Sequence, residues 1–178
     1  SFLVDLYARG DYDVSSLRYC ISGGASLPEA LLKKVEDGLG VTVIEGYGLT
    51  ETSPAIAVNT MKDGSVPGSV GPVLPNVELE IVDESGRLVT QGEVGEIRVR
   101  AQTVMRGYWN KPSVTAKTVS ADGWLRTGDL GHLDETGRLF ISAGRIKDLI
   151  IRAGENVSPL AIENALMSHP AIMEVAAV

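Results

Sequence analysis

The sequence predicts a mixed α/β and β protein in three consecutive parts. A strand–turn–helix–strand unit over residues 17–45 is typical of α/β sheets. From about residue 68, apolar and charged residues alternate, which indicates a β-rich, barrel-like subdomain of half-exposed antiparallel strands. A polar break over 144–148 then precedes a helix that starts at Ser158-Pro159. The chain therefore divides into residues 1–67, 68–145 and 146–178.

The first part is built from two apolar strands on either side of a helix. Leu17 to Ser22 predicts a buried strand, and Val41 to Ile44 predicts the next one. Between them, Ser26-Leu27-Pro28-Glu29 predicts a helix start with Ser26 as the N-cap. We expect Gly40 to end this helix. Its buried stripe should consist of Leu31, Val35 and Leu39.

A glycine-rich stretch after the second strand carries the strongest candidate site. Gly46 and Gly48 permit unusual backbone conformations, so the strand should stop there and open into a tight loop. Ligands of open α/β sheets gather at such strand ends. Tyr47 offers a flat face to a base, Thr50 a hydrogen-bond donor to an anionic oxygen, and Glu51 a hard oxygen ligand for Mg²⁺. This pattern suggests a nucleotide–metal site, and a glycine-rich turn with a capping threonine is the alternative.

A second turn, Ser22-Gly23-Gly24-Ala25, follows the first strand. Parallel strands end on the same rim of a sheet, so we expect this turn to lie beside the Tyr47 loop. Ordinary turn chemistry is the alternative explanation of Gly23-Gly24.

The middle of the chain predicts a series of antiparallel strands. Turn sequences at Asp83 to Gly86 and Asp134 to Gly137 separate them, and Pro112 indicates the first turn of a short helix. The segment from Gly123 to Asp129 lies between this helix and the next strand. The predicted elements are strands over 77–82, 96–101, 130–134 and 138–143 and a helix over 111–119.

The last part begins with a polar break and contains one helix. We interpret residues 154–157 as a loop and Ser158-Pro159 as the start of a helix that runs to about His169. The apolar residues 172–178 predict a strand that has nothing after it to pair with. Apolar strands left at a terminus usually belong to a larger body, and both ends of the chain therefore look cut.

Composition and charge exclude several classes of protein. The net charge of −7 argues against a nucleic-acid binder, which should carry a basic face. The single Cys20 lies in an apolar run, so we interpret it as a core residue in a reducing, cytoplasmic compartment. No apolar stretch approaches about 20 residues, so we expect no transmembrane segment, although peripheral membrane contact is compatible with the sequence.

Taken together, these motifs resemble the adenylate-forming superfamily: acyl-CoA synthetases, beetle luciferases and the adenylation domains of peptide synthetases. They occur in the family's order and spacing across nearly the whole chain. The matching stretches are Ser22-Gly23-Gly24-Ala25, Tyr47 to Glu51, Gly107-Tyr108-Trp109, Gly123-Trp124 with Thr127-Gly128-Asp129, Gly144-Arg145-Ile146-Lys147-Asp148 and Gly154-Glu155-Asn156.

The resemblance implies a two-step reaction that uses ATP, Mg²⁺ and coenzyme A. A carboxylate attacks ATP to give an acyl-adenylate and pyrophosphate, and a thiol then displaces AMP. Gly23, Gly24 and Ala25 would wall the adenine and acyl pockets with backbone. Tyr47 would lie on the adenine, and Gly48 would belong to the same nucleotide-binding loop.

The resemblance also implies roles for polar residues. Thr50 would bind the α-phosphate, Glu51 would bind Mg²⁺, and Asp129 would accept hydrogen bonds from both ribose hydroxyls. Arg145 would approach the ribose or phosphate as a permanent cation. Taken singly, Asp129 could also be a turn residue and Arg145 part of a solvated linker.

Two further residues would serve the second half-reaction. Lys147 would be the hinge about which a small C-terminal domain rotates, and Gly154 would border the pantetheine tunnel. A phosphate loop upstream and a lysine near the family's C-terminus have no counterpart here. The resemblance therefore implies an internal fragment: the end of a large α/β subdomain, the β-rich barrel-like subdomain and the start of a small α+β C-terminal domain.

Within the superfamily, details favour an acyl-CoA synthetase. Peptide-synthetase domains usually show Pro where Leu49 stands, and Thr52-Ser53-Pro54 is common in the fatty-acyl branch. The expected acid substrate is a medium- or long-chain fatty acid. The alternatives are a non-catalytic nucleotide-binding or interaction module with the same fold, and an adenylation domain that acts with a carrier protein.

Overall fold

The computed structural model describes residues 10, 12–25, 27–62, 64–146, 149–152, 155–167, 169, 171–172 and 175–177. Its strands form a three-stranded sheet, a five-stranded sheet and a two-stranded hairpin. In chain order the elements are β1 (Tyr19–Gly23), α1 (Glu29–Leu39), β2 (Thr42–Gly48), a 3-10 turn (Thr50–Thr52), β3 (Ala55–Val58), β4 (Ser69–Pro72), β5 (Glu78–Val82), β6 (Gly95–Arg100), α2 (Pro112–Thr118), β7 (Leu125–Leu133), β8 (Arg138–Arg145), β9 (Ile150–Arg152), β10 (Glu155–Val157) and α3 (Pro159–Met167). None of the helices within this described part has the length and hydropathy needed to cross a bilayer.

The first sheet confirms the predicted strand–helix–strand unit. β1 and β2 pair in parallel, with α1 as the crossover between them, and β3 adds an antiparallel third strand. α1 ends at Gly40, whose φ of 65° and backbone bond to the Glu36 carbonyl make a left-handed cap. Its N-cap is Pro28, without a side-chain cap bond, so the prediction of Ser26 as N-cap is wrong; Ser26 itself lies outside the described residues.

Burial in this unit is shallower than predicted. In α1 the buried residue is Leu32, whereas the predicted stripe of Leu31, Val35 and Leu39 is half-buried. β1 is not buried, because Tyr19 and Ile21 on one face are exposed and Cys20 on the other is half-buried. Parallel strands normally have both faces covered. The apolar sequence of β1 therefore indicates a covered face that the described residues do not supply.

The second sheet confirms the predicted β-rich region. Its strand order is β4-β8-β7-β6-β5, and all neighbours are antiparallel. The alternation read from the sequence is real: Ile97 and Val99 are fully buried, while Arg98 and Arg100 on the other face pair with glutamates of β5. One apolar core joins this sheet to β3 of the first, and it consists of Ile56, Ala57, Ile81, Ile97, Val99, Leu125 and Leu139.

Strands extend into segments that the sequence predicts as loops. β2 continues through Tyr47 to Gly48, because β3 folds back and pairs with it. β7 begins at Leu125 and includes Asp129, with an irregular register beside β8 at that residue. β8 likewise continues to Arg145, inside the predicted polar break. The loop predictions are wrong here because glycine-rich segments keep extended pairing when a neighbouring strand supplies partners.

The C-terminal part is mixed. β9 and β10 form an antiparallel hairpin, so the prediction of 154–157 as a loop is wrong for Glu155–Val157. α3 begins at Pro159 as predicted, and the Ala161 N–H donates to Ser158 Oγ at 3.3 Å. No strand follows among the described residues 172 and 175–177, where the Ala177 N–H donates to Glu163 Oε1 at 3.0 Å instead of to a neighbouring strand. The subdomain boundaries at 67 and 145 stay predictions.

Candidate active site

A cleft of about 210 Å³ opens where the ends of β1 and β2 face β7 and β8. It brings together six residues selected from the sequence, whose backbones or side chains form its walls. The lining residues are Gly24, Ala25, Leu27, Glu45, Gly46, Tyr47, Gly48, Leu49, Gly68, Val70, Asp129, Ile141 and Arg145.

Three side chains from three strands meet at Asp129. The Tyr47 hydroxyl donates to Asp129 Oδ2 at 2.6 Å, although the two residues are 82 positions apart in the chain. Arg145 Nε donates to Asp129 Oδ1 at 3.2 Å, across the β7–β8 pairing that sets these two residues opposite each other. Asp129 is 6% exposed, so its carboxylate is buried but compensated by these donors. The structure therefore brings Tyr47, Asp129 and Arg145 to one point.

This arrangement fixes the protonation and orientation of Tyr47. Burial, and next the hydrogen bond to Asp129, raise the pKa of the Tyr47 phenol above its usual range. The phenol therefore stays a donor, and its bond holds the edge of the ring at Asp129. A carboxylate has about four lone-pair positions, so each oxygen of Asp129 can accept a further hydrogen bond from a ligand.

Glu51 lies in an adjoining cleft rather than in the same one. This second cleft has a volume of about 330 Å³, and Leu49 and Arg145 border both clefts. Lys117 and Arg126 add two more cationic side chains to its wall. Glu51 thus lines the neighbouring cleft from the 3-10 turn that follows Leu49, whereas Tyr47 lines the first cleft.

Of four other predicted residues, two line neither cleft and two lie outside the described part of the chain. Thr50 is exposed at the start of the 3-10 turn and is not among the residues that line either cleft. Gly23 pairs with Gly46 at the base of the first cleft, where a Cβ on Gly23 would lie 3.3 Å from the Gly46 carbonyl oxygen. Lys147 and Gly154 lie outside the described residues.

Glu45 and Tyr108 are two polar residues of these clefts to which the sequence analysis assigns no role. Glu45 is 6% exposed and lines the first cleft, and its Oε2 atom has no hydrogen-bond partner within the described part of the chain. Tyr108 donates from its hydroxyl to Glu51 Oε1 at 2.7 Å in the second cleft. A charged residue at the end of an apolar strand is a signal that could have singled out Glu45, whereas the Tyr108 contact spans 57 positions and needs the fold.

The donor set fits a nucleotide-bound Mg²⁺ ion. Within the described ranges, no group of three or more His, Cys, Asp or Glu residues could hold a metal ion. Mg²⁺ at nucleotide sites usually takes one or two protein carboxylates together with phosphate oxygens and water. Glu51 offers such a carboxylate, with Oε1 occupied by Tyr108 and Oε2 remaining for a ligand.

The chain belongs to the family of AMP-binding enzymes, which it matches over residues 2–109. It is 46% identical over 165 residues to a long-chain-fatty-acid–CoA ligase of Bacillus subtilis, a match that covers 92% of this chain and 29% of the relative. The structure of an anthranilate CoA ligase in complex with anthranoyl-AMP superposes with a TM-score of 0.88 at 35% identity, over 97% of this chain and 33% of that one.

A further solved structure is similar over the same region. The O-succinylbenzoate coenzyme A synthetase of Bacillus subtilis, in complex with ATP and magnesium ion, superposes with a TM-score of 0.82 at 36% identity, over 97% of this chain and 36% of that one. The present chain thus spans about a third of the length of the proteins it resembles. These matches confirm the predicted family and fold class.

Proposed function

We propose that the complete protein carrying this chain is an ATP-dependent acid–thiol ligase. It activates a carboxylic acid as an acyl-adenylate and then transfers the acyl group to coenzyme A. The observation that carries this proposal is the meeting of Tyr47, Asp129 and Arg145 at one cleft. A flat ring, a buried bidentate acceptor and a fixed cation suit the base, ribose and phosphate of a nucleotide. Membership of the AMP-binding family supports the same chemistry.

The roles in the first half-reaction follow from side-chain chemistry. Tyr47 lies against the adenine, Asp129 accepts hydrogen bonds from the ribose hydroxyls, and Arg145 approaches the ribose or α-phosphate. Gly24 leaves room for the ligand beside the backbone, because nothing lies within 4 Å of a Cβ placed there. Ala25 and Gly48 line the same cleft, and Gly23 lies at its base.

Two residues of the 3-10 turn address the phosphates. Thr50 is exposed and offers a hydroxyl donor to an α-phosphate oxygen, and Glu51 offers a carboxylate to the cation that accompanies ATP. A bound Mg²⁺ supplies positive charge at the reacting phosphate, which the net charge of −7 on this chain makes necessary. Placed charge of this kind stabilises the charge that develops during the transfer.

The second half-reaction is assigned to residues outside the described ranges. Lys147 acts as the hinge for a small C-terminal domain, and Gly154 borders the channel for the thiol. The described flanks suit a hinge, because β8 ends at Arg145 and β9 begins at Ile150, which leaves a short connection between two strands.

The proposed acid is a medium- or long-chain fatty acid, at a cytoplasmic location with peripheral membrane contact allowed. The similarity to the Bacillus subtilis fatty-acid ligase and the sequence Thr52-Ser53-Pro54 support it. The structure of an anthranilate CoA ligase also superposes over this region, so we assign the selection of the acid mainly to residues elsewhere in the complete protein. Pyrophosphate release measured with a panel of fatty and aromatic acids tests this assignment, and a preference for aromatic acids would overturn it.

The nucleotide assignment is tested with Asp129→Ala in the complete protein. Loss of a charged acceptor for two hydroxyls should weaken ATP binding about tenfold or more, since each such bond is worth roughly 1.5–3 kcal/mol. Calorimetric titration with ATP measures it, and Asp13→Ala, an exposed aspartate outside both clefts, is the matched control.

Unchanged ATP affinity would remove Asp129 from the site. If the unmodified complete protein binds ATP but releases no pyrophosphate with any acid, the non-catalytic nucleotide-binding module is the better explanation. Acyl transfer to a carrier-protein thiol but not to coenzyme A would identify an adenylation domain.

A further inference from the structure

The loop between β6 and α2 holds both the backbone and the side chain of Glu51. The Met105 N–H donates to the Glu51 carbonyl oxygen at 2.8 Å, and the Tyr108 hydroxyl donates to Glu51 Oε1 at 2.7 Å. One loop therefore fixes both the backbone and the carboxylate of the residue. Two bonds of this kind remove most of the freedom that a glutamate side chain otherwise has.

The same loop is itself anchored on α2. The Tyr108 N–H donates to Thr115 Oγ1 at 2.9 Å, and that hydroxyl donates to the Lys111 carbonyl oxygen at 3.0 Å. Gly107 permits this close approach, because a Cβ there would lie 2.7 Å from Thr115 Cγ2. The Tyr108 ring is thus placed by the helix, and Glu51 is placed by Tyr108.

We propose that Tyr108 is the positioning residue of Glu51: it holds the carboxylate so that Oε2 faces the cation bound with ATP. The inference rests on the proposed function, in which Glu51 is the cation ligand. Groups that hydrogen-bond to a ligating carboxylate orient it and typically change metal affinity by about 10- to 100-fold when removed. A preformed orientation lowers the ordering cost that binding would otherwise include.

The test is Tyr108→Phe in the complete protein, with Tyr12→Phe as the matched control at an exposed tyrosine. Binding of the Mn²⁺–ATP complex, followed by electron paramagnetic resonance, should weaken about 10-fold. The Mg²⁺ concentration at half-maximal pyrophosphate release should rise by a similar factor, while ATP binding in the presence of chelator stays unchanged. A purely structural tyrosine would lower the unfolding midpoint without moving the two metal titrations.

Glu51→Gln separates failure of this inference from failure of the proposed function. If Glu51→Gln leaves the Mn²⁺ titration unchanged, Glu51 is not the cation ligand and the proposed function loses that residue. If Glu51→Gln weakens Mn²⁺–ATP binding but Tyr108→Phe binds Mn²⁺–ATP as tightly as the unmodified protein does, the positioning role of Tyr108 is overturned. If Tyr108→Phe does not fold, Thr115→Val is the second variant, because it removes the acceptor of the Tyr108 N–H. Thr115→Val should weaken Mn²⁺–ATP binding as Tyr108→Phe would, but by a smaller factor. Unchanged Mn²⁺–ATP affinity in Thr115→Val would reject the inference.

Discussion

At the scale of single residues, the buried carboxylate of Glu45 in the first cleft destabilises the folded protein. Its carboxylate is buried beside Tyr47, and Oε2 has no partner in the described part of the chain. Burial raises the pKa of the Glu45 carboxyl, and a hydrogen bond from the Leu27 backbone N–H opposes that effect. The charged form is therefore the less favourable one in the folded protein.

Glu45→Gln should stabilise the protein at neutral pH. A carboxyl whose pKa is raised by folding contributes stability that is complete below the ordinary value of 4.5 and is lost as the pH rises through the folded value. Glutamine keeps an acceptor for Leu27 and removes the charge. We expect a higher free energy of unfolding in urea at pH 7 and little difference at pH 4, with Glu84→Gln as an exposed control. A variant that is less stable at pH 7 would contradict the assignment of the charge as unfavourable.

At this scale, sequence reasoning found side chains but not their contacts. The chemistry of Tyr47 suits a nucleotide base, whereas Asp129 is implied by the resemblance to the adenylate-forming superfamily; the structure brings the Tyr47 hydroxyl and Asp129 Oδ2 to 2.6 Å. Tyr108 was noted only as part of a matching stretch. Its contact with Glu51 depends on the path of a long loop, which local pattern does not encode.

Gly48 decides the shape of the site at the scale of elements. The residue has an ordinary extended backbone, so its need for glycine comes from close approach and not from a positive φ. A Cβ at this position would lie 1.8 Å from the Pro54 carbonyl oxygen, where the chain folds back into β3. This close contact allows the 3-10 turn to fit between two paired strands.

Gly48→Ala should destabilise the complete protein by about 3 kcal/mol, because overpacking against backbone forces the turn to move. The matched control is Gly46→Ala in the same strand, where a Cβ would meet its nearest atoms at an ordinary 3.4 Å. Urea unfolding of both variants gives the comparison. Equal stability of the two would mean that the turn relaxes without cost.

The elements themselves were largely predictable, and their ends were not. The alternation of apolar and charged residues predicts the bounds of β5 and β6 to within one residue, because one face of each strand is buried and the other carries charged side chains. The continuations of β2, β7 and β8 were missed because glycine and polar residues at their ends are typical of loops. Pairing with distant strands is what keeps these segments extended.

At the scale of the whole molecule, the described residues supply few cationic groups for binding the phosphates of ATP. The cations that line the second cleft with Glu51 are Lys117, Arg126 and Arg145, of which Arg126 is paired with Glu96 and Arg145 with Asp129, and the chain carries a net charge of −7. Phosphoryl and adenylyl transfer depend on placed cations and backbone donors around the reacting group.

We therefore expect the 178-residue chain by itself to be catalytically inert. Purified chain with ATP, Mg²⁺, coenzyme A and fatty acids should release no pyrophosphate above background, although under the proposed function we expect weak AMP binding at Tyr47 and Asp129. The complete protein is the positive control. Turnover that matches it, and that Glu51→Ala abolishes, would show that elements outside this chain are dispensable.

Arg145 is the last residue of β8, and its Nε holds Asp129 at 3.2 Å, near the long limit of a hydrogen bond. Under the proposed function, Arg145 borders the nucleotide cleft and directly precedes the hinge segment, so a domain movement that displaces Arg145 changes this contact. Under the proposed function, occupancy of the nucleotide cleft and the position of the C-terminal domain become linked equilibria. Such linkage is reciprocal: the factor by which bound nucleotide changes the equilibrium between domain positions equals the factor by which the domain position changes the affinity for the nucleotide.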